Sequence, residues 1–204
     1  MGESKVTNMP GRAEAAKAIE TLIRFAGDDP TRAGMADTAE RVLKFYETFF
    51  TGYDFKPEDF AASMAEDVSF DDFILIKDIK IDSFCEHHML PAAGTASIAY
   101  IPHDKVPGLG AVTRLIAAAA RRFTTQEDIT KLIASRMAEA FGVTDIALTV
   151  TLSHGCMTLR DKENTGTTVA TTAFKGHFST DTNLQNRYLM MTGTKGHTDH
   201  ADAA

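Results

Sequence analysis

Ile79-Lys80-Ile81-Asp82-Ser83-Phe84-Cys85-Glu86-His87-His88 reads as a strand that ends in a ligand turn. Ile79 and Ile81 alternate with Lys80 and Asp82, the pattern of a half-buried strand. Two residues separate Cys85 from His88, so one tight turn can aim both at a single ion. A second stretch echoes the first. Ile146, Leu148, Val150 and Leu152 alternate with polar or small residues, and the same parity runs on to His154, Cys156 and Arg160. A regular strand would point His154 and Cys156 to the face that buries the isoleucine and leucines.

Working outward, the chain predicts helices on both sides of these strands. A polar arm, Met1 to Arg12, precedes a helix from near Ala13, with Ala16, Ile19, Leu22 and Ile23 on one stripe. Gly27-Asp28-Asp29-Pro30 ends it. Thr38 is placed as the cap of a second helix, whose apolar face is Val42, Phe45, Tyr46, Phe49 and Phe50. Arg41 and Lys44 share one side of that helix, and by spacing alone they form a solvated basic edge. Thr51 to Ser69 reads as loop. Gly94 to Ile101 is a strand, and a turn at Asp104 to Gly110 leads into a helix with Leu115, Ile116 and Ala119 buried. Another helix runs from about Gln126 to Phe141, stopped by Gly142. A last strand is expected at Thr168 to Phe178, a short helix at Asn183 to Met191, and a disordered tail from Gly193 to Ala204, where His197 and His200 are solvated.

Strand pairs separated by helix pairs imply an α+β fold, an antiparallel sheet with helices on one face, preceded by an N-terminal helical segment. The expected division is an arm with helices at 1–68, a catalytic domain at 69–192 and a tail at 193–204.

The net charge of −7 and the lack of a basic stripe argue against a nucleic-acid binder. An anionic small substrate held by a few arginines stays open. No apolar run approaches the ~18 residues of a membrane span, and the N-terminus lacks a signal-peptide core, so cytoplasm is the expected location. In a reducing compartment two cysteines favour metal or catalysis over a disulfide.

A thiolate pair with imidazole is a zinc ligand set. Cys85, His88 and Cys156 as three ligands leave an open position, where zinc lowers the pKa of water to about 7. His87 and His154 remain nearby as proton carriers, and Glu86 as an orienting group. Two other readings stand beside this one. The cysteines could be small buried hydrophobes, and His88 or His154 could close a structural Cys₂His₂ site without hydrolytic role.

Cys85-Glu86-His87-His88 with Leu90-Pro91 resembles the zinc segment of the GTP cyclohydrolase I family. Tyr100-Ile101-Pro102 with Gly108-Leu109 and Arg114 is similar to its strand-turn-helix, Gln126-Glu127 with Thr130 to its Q-E-x-x-T segment, and His154-x-Cys156-Met157 with Arg160 to its second zinc segment. Arg32, Thr38, Arg41 and Val42 resemble its N-terminal helix entry, and the likeness spans about Asp29 to Leu189.

The resemblance implies the tunnelling fold, assembled as a homodecamer with active sites at subunit interfaces. It implies hydrolytic opening of the purine ring of GTP at C8, release of formate and closure to 7,8-dihydroneopterin triphosphate, the entry to folate and tetrahydrobiopterin biosynthesis. It assigns Zn2+ to Cys85, His88 and Cys156, and proton transfer to His87 and His154. It assigns guanine to Glu127 with Gln126 beside it, and the triphosphate to Arg41, Lys44, Arg114 and Arg160.

The chain departs from the family at the phosphate positions. Ser-Lys after Gly-Leu is replaced by Gly110-Ala111, Arg-Gly by Arg160-Asp161, and the residues flanking Gln-Glu are Thr125 and Asp128. Thr38-Ala39 stands for Thr-Pro. One cation is lost and acids are gained, so the resemblance also admits a paralogue acting on a guanine nucleotide or purine with a different tail, or stopping at the ring-opened product. A ring protein that binds pterin or purine without turnover, or that holds structural zinc, is the alternative of another class.

Overall fold

The computed structural model describes residues 8–61, 64–65, 70–103, 105–160 and 162–193. The chain divides after Thr51 into two compact units. The first holds α1 (Arg12–Phe25) and α2 (Thr38–Phe49), which pack on each other. Arg12 ties them together through Glu40 and Glu47. On α2, Phe45 stacks on Phe49, and at its end Tyr46 meets Phe50, both contacts between side chains four apart. Asp37, not Thr38, occupies the cap position of α2, and no side chain caps it. In the connection, the Arg32 guanidinium and the Asp29 backbone N–H hold the Asp28 carboxyl down to about 2.

The second unit is built on a five-stranded sheet in the order β5-β2-β3-β6-β7. Its strands are β2 (Ile74–Cys85), β3 (Pro91–Tyr100), β5 (Phe123–Thr124), β6 (Ile146–His154) and β7 (Val169–Lys175). β2, β3, β6 and β7 are antiparallel neighbours, and only the two-residue β5 runs parallel, beside the end of β2. Within the expected loop at 51–69 lie a 3-10 turn at Thr51–Tyr53, a helical turn α3 (Glu58–Ala61) and β1 (Met64–Ala65), which pairs with β4 (Val106–Pro107). Local spacing did not reveal β1, because a two-residue strand carries no period.

Two long helices, α4 (Leu109–Ala120) and α5 (Gln126–Phe141), cover one face of the sheet. Ile98, Leu148, Val150 and Leu152 from the strands meet Leu115, Ile116, Ile133 and Met137 from the helices in the main core. Burial of such side chains contributes about 1.5–3 kcal/mol each. This is the α+β arrangement expected from the element order, with the N-terminal helical segment before it, and it agrees with the tunnelling fold that the resemblance implies. The alternate side chains Ala99 and Ala147 face the other way, where Phe73, Phe178 and Tyr188 form a smaller apolar layer. Phe178 and Tyr188 come from α7 (His177–Thr180) and α8 (Thr182–Thr192).

Two local expectations need correction. β7 stops at Lys175 rather than Phe178, because Gly176 takes φ +58° and starts α7. β6 stops at His154, and the chain turns helical as α6 (Gly155–Thr158), so strand parity reaches His154 but not Cys156 or Arg160. Asp161, the tail beyond Gly193, and His197 and His200 within it lie outside the described residues. Gly142 does end α5, in the left-handed region at φ +66°.

Candidate metal centre

The Cys85 turn is the β2–β3 hairpin loop. Cys85 closes it twice, donating its N–H to the Leu90 carbonyl at 2.9 Å and accepting from the Met89 N–H at 2.9 Å. Met89 takes φ +55° to make the turn this short. Strand register then brings the second half-site across. Ala92 of β3 pairs with Ser83 of β2 on one side and with His154 of β6 on the other. The turn after His154 passes close to the hairpin. A Cβ on Gly155 would stand 3.0 Å from the Pro91 carbonyl oxygen, so a side chain there would push the two backbones apart by a few tenths of an ångström.

Cys85, His88 and Cys156 are therefore brought together, with one ligand atom of each within 4.8 Å of the others. The two sulfurs are 3.9 Å apart, and His88 Nδ1 is 4.0 Å from Cys85 Sγ. Tetrahedral zinc, with bonds of ~2.3 Å to sulfur and ~2.0–2.1 Å to nitrogen, separates its ligands by roughly 3.5–3.8 Å. The donors fit a metal ion of this kind in both chemistry and spacing. Burial, then the neighbouring Cys85 sulfur, pushes the Cys156 thiol up, while Arg160 acts the other way. Two thiols so close lose their protons together only when a cation compensates.

The structure also brings His87 to the group, its Nδ1 4.0 Å from Cys85 Sγ and its Nε2 3.8 Å from Glu86. Its ring stands largely in solvent, at 65% exposure. Arg160 approaches His88 Nε2 at 3.5 Å. His154 is half-buried, and its Nε2 lies 2.6 Å from Gln126 Oε1. Burial lowers the His154 pKa, and Glu127 raises it in part.

Gln126 and Glu127 occupy the first turn of α5, the first buried and the second exposed. Thr125 caps the helix, accepting from the Asp128 N–H. Glu127 is exposed, whereas Gln126 is only 4% exposed and its amide is engaged by protein groups. Its inward direction has a sequence signal: Gln126, Thr130, Ile133 and Met137 follow one helical stripe.

The remaining predicted contacts are not gathered at this centre within the unit. Arg114 is exposed on α4. The chain leaves β3 at Tyr100, and α4 carries it back to β5 beside Cys85, so Gly110 and Ala111 lie at the far end of that helix. The helix rise alone is roughly 14 Å over that distance. Ala111 is buried in the core, and Gly110 is exposed. Arg41 and Lys44 are exposed on α2 in the first unit, where Arg41 approaches Asp37 at 4.0 Å.

Comparison with known proteins agrees with this geometry. GTP cyclohydrolase 1 of Allorhizobium ampelinum is 41% identical over 189 residues, covering 92% of this chain and 94% of that protein. GTP cyclohydrolase 1 of Maricaulis maris is 38% identical over 187 residues, covering 91% of each chain. GTP cyclohydrolase 1 of Brucella canis is 38% identical over 192 residues, covering 94% and 90%. Residues 15–193 match the family described as GTP cyclohydrolase I, spanning both half-sites and the helices between them, and the chain belongs to that family.

Proposed function

We propose that this protein is a zinc-dependent GTP cyclohydrolase that opens the purine ring of GTP at C8, releases formate and closes the product to 7,8-dihydroneopterin triphosphate. The observation that carries the reading is the Cys85–His88–Cys156 group with His154 held beside it, in a chain of this family. When bound, the ion supplies Lewis acidity, making water a nucleophile at neutral pH.

The chain's own groups divide the remaining work. His154, kept neutral by its burial, takes or gives a proton at the opening ring. His87, exposed on the hairpin loop, serves as the second proton carrier. The Glu127 carboxylate accepts from guanine N1–H and the exocyclic amine together. Arg160 meets the triphosphate beside the metal group, and Arg41, Lys44 and Arg114 complete its neutralisation. The placement of Gly110 and Arg114 along α4, away from Cys85, supports sites completed by a second subunit, in a homodecamer. The catalytic domain is 69–192, after the helical arm at 1–68 and before a tail at 193–204. Its place is the cytoplasm, at the start of pterin or folate biosynthesis.

A second reading is favoured by Gly110-Ala111. Ala111 faces the core, so neither residue offers a cation at that turn. A charge-assisted phosphate contact contributes about 1.5–3 kcal/mol, and its loss favours a substrate with a shorter tail. Formate release and product mass from GTP, GMP and guanosine, measured in parallel, decide between the readings. A clear preference for GTP removes the second, and absence of formate from all three removes both.

A further inference from the structure

The Gln126 side chain is the buried end of a hydrogen-bond network that fixes which way its amide points. Its Nε2 lies 3.0 Å from the Val150 carbonyl, 2.7 Å from the Val169 carbonyl and 3.3 Å from Thr171 Oγ1. Carbonyl oxygens only accept, so this end of the amide is the NH2. Thr130 donates its hydroxyl to the Gln126 backbone carbonyl at 2.8 Å. It must therefore accept at its 2.7 Å contact with Thr171, whose hydroxyl donates to it. The amide cannot be flipped without setting its oxygen against two carbonyls.

Oε1 is therefore the atom facing His154 Nε2 at 2.6 Å, and an amide oxygen cannot donate. The hydrogen must sit on His154 Nε2. Among the described residues Nδ1 has no hydrogen-bond partner, so it is the nitrogen left for exchange. We infer that Gln126 is a positioning residue that fixes the Nε2–H tautomer and ring orientation of His154, so that His154 works through Nδ1, and that its side chain makes no contact with the purine.

The inference rests on the proposed reaction only through the role of His154. Its test uses the metal-loaded full chain. Gln126→Met keeps the side-chain volume and removes both polar ends. The expected result is a fall in kcat on the order of 10²-fold, with KM for GTP and metal content unchanged. A rise in KM with kcat unchanged would make Gln126 a substrate contact and overturn the inference. Independently, nitrogen NMR of histidine-labelled wild type at about pH 8, where imidazole is neutral, should show His154 protonated at Nε2. The His154 signal is identified by its loss in His154→Ala. Protonation at Nδ1 in the wild type would also overturn the inference. If Gln126→Met does not fold, the wild-type tautomer decides alone. If the wild type makes no product from GTP, the proposed function fails, and the tautomer still decides the role of Gln126.

Discussion

The sulfurs of Cys85 and Cys156 stand 3.9 Å apart, although 71 positions separate them in the chain. Both cysteines are free thiols, and with His88 they form the donor set of the candidate metal site. Cys85→Ser and Cys156→Ser should each lose stoichiometric metal in elemental analysis and lose turnover of GTP. Chelation of the wild type should abolish turnover, and added Zn2+ should restore it. Full activity after exhaustive chelation would disprove a catalytic metal.

His154→Ala separates proton transfer from metal holding. The ring is not among the three donors, so metal content should stay at the wild-type level. Turnover should fall by about 10²–10⁴-fold, the contribution of a positioned acid or base. Single-turnover measurement of ring opening checks this directly. A variant as fast as wild type would remove His154 from the chemistry.

Gly94 pairs with Leu152 in the middle of the sheet, where a Cβ would drive into the Thr151 carbonyl oxygen. The obstacle is backbone, which has no rotamer to move. Gly94→Ala should lower stability by about 1–3 kcal/mol. A drop in the urea midpoint at constant m would show it. An unchanged midpoint would mean that the β3–β6 ladder gives way freely.

Asp145 gives the fold an acid-sensitive joint at the opposite end of β6 from His154. Its side chain is 4% exposed. Burial works to raise its carboxyl, but the His177 backbone N–H at 2.7 Å, the His177 ring at 2.8 Å and the Thr144 hydroxyl hold it below the ordinary 3.8. His103 Nε2 lies 3.3 Å from its other oxygen. A depressed folded-state value means that this stabilisation is fully present above about pH 4 and lost as pH falls through the folded value. The stability gap between wild type and Asp145→Asn should therefore be widest near neutrality and close on acidification. A gap that stays constant to roughly pH 2 would contradict the assignment.

Much of this architecture is legible in the residues themselves. The α5 stripe of Ile129, Ile133 and Met137, with its Gly142 stop, marks a helix whose period and cap agree. The β6 alternation correctly places His154 on the helix-covered face. Cys156 reaches the same place by different means. Gly155 starts a helical turn, and the reason is tertiary: the backbone must pass beside Pro91, which no local periodicity encodes. The Gln126–His154 hydrogen bond was hidden for a related reason. A glutamine beside Glu127 at a helix start suggests solvent or substrate, and only the stripe shared with Thr130 points it inward. β5 is too short to have a pattern, and it exists because β2 offers a partner for two residues.

The register of β3 sets a rule for how the chain can change in length. Nine of the ten residues of β3 pair with β2 on one side, and nine pair with β6 on the other. A one-residue insertion there would swap its two faces and slide His154 away from Ala92. The connections at 101–108 and 142–145 carry no such constraint on the metal centre, because both lie at the Tyr100–Ile146 end of the ladder. Insertions and deletions in homologous chains should therefore collect at that end, with the hairpin between Cys85 and Pro91 kept at constant length.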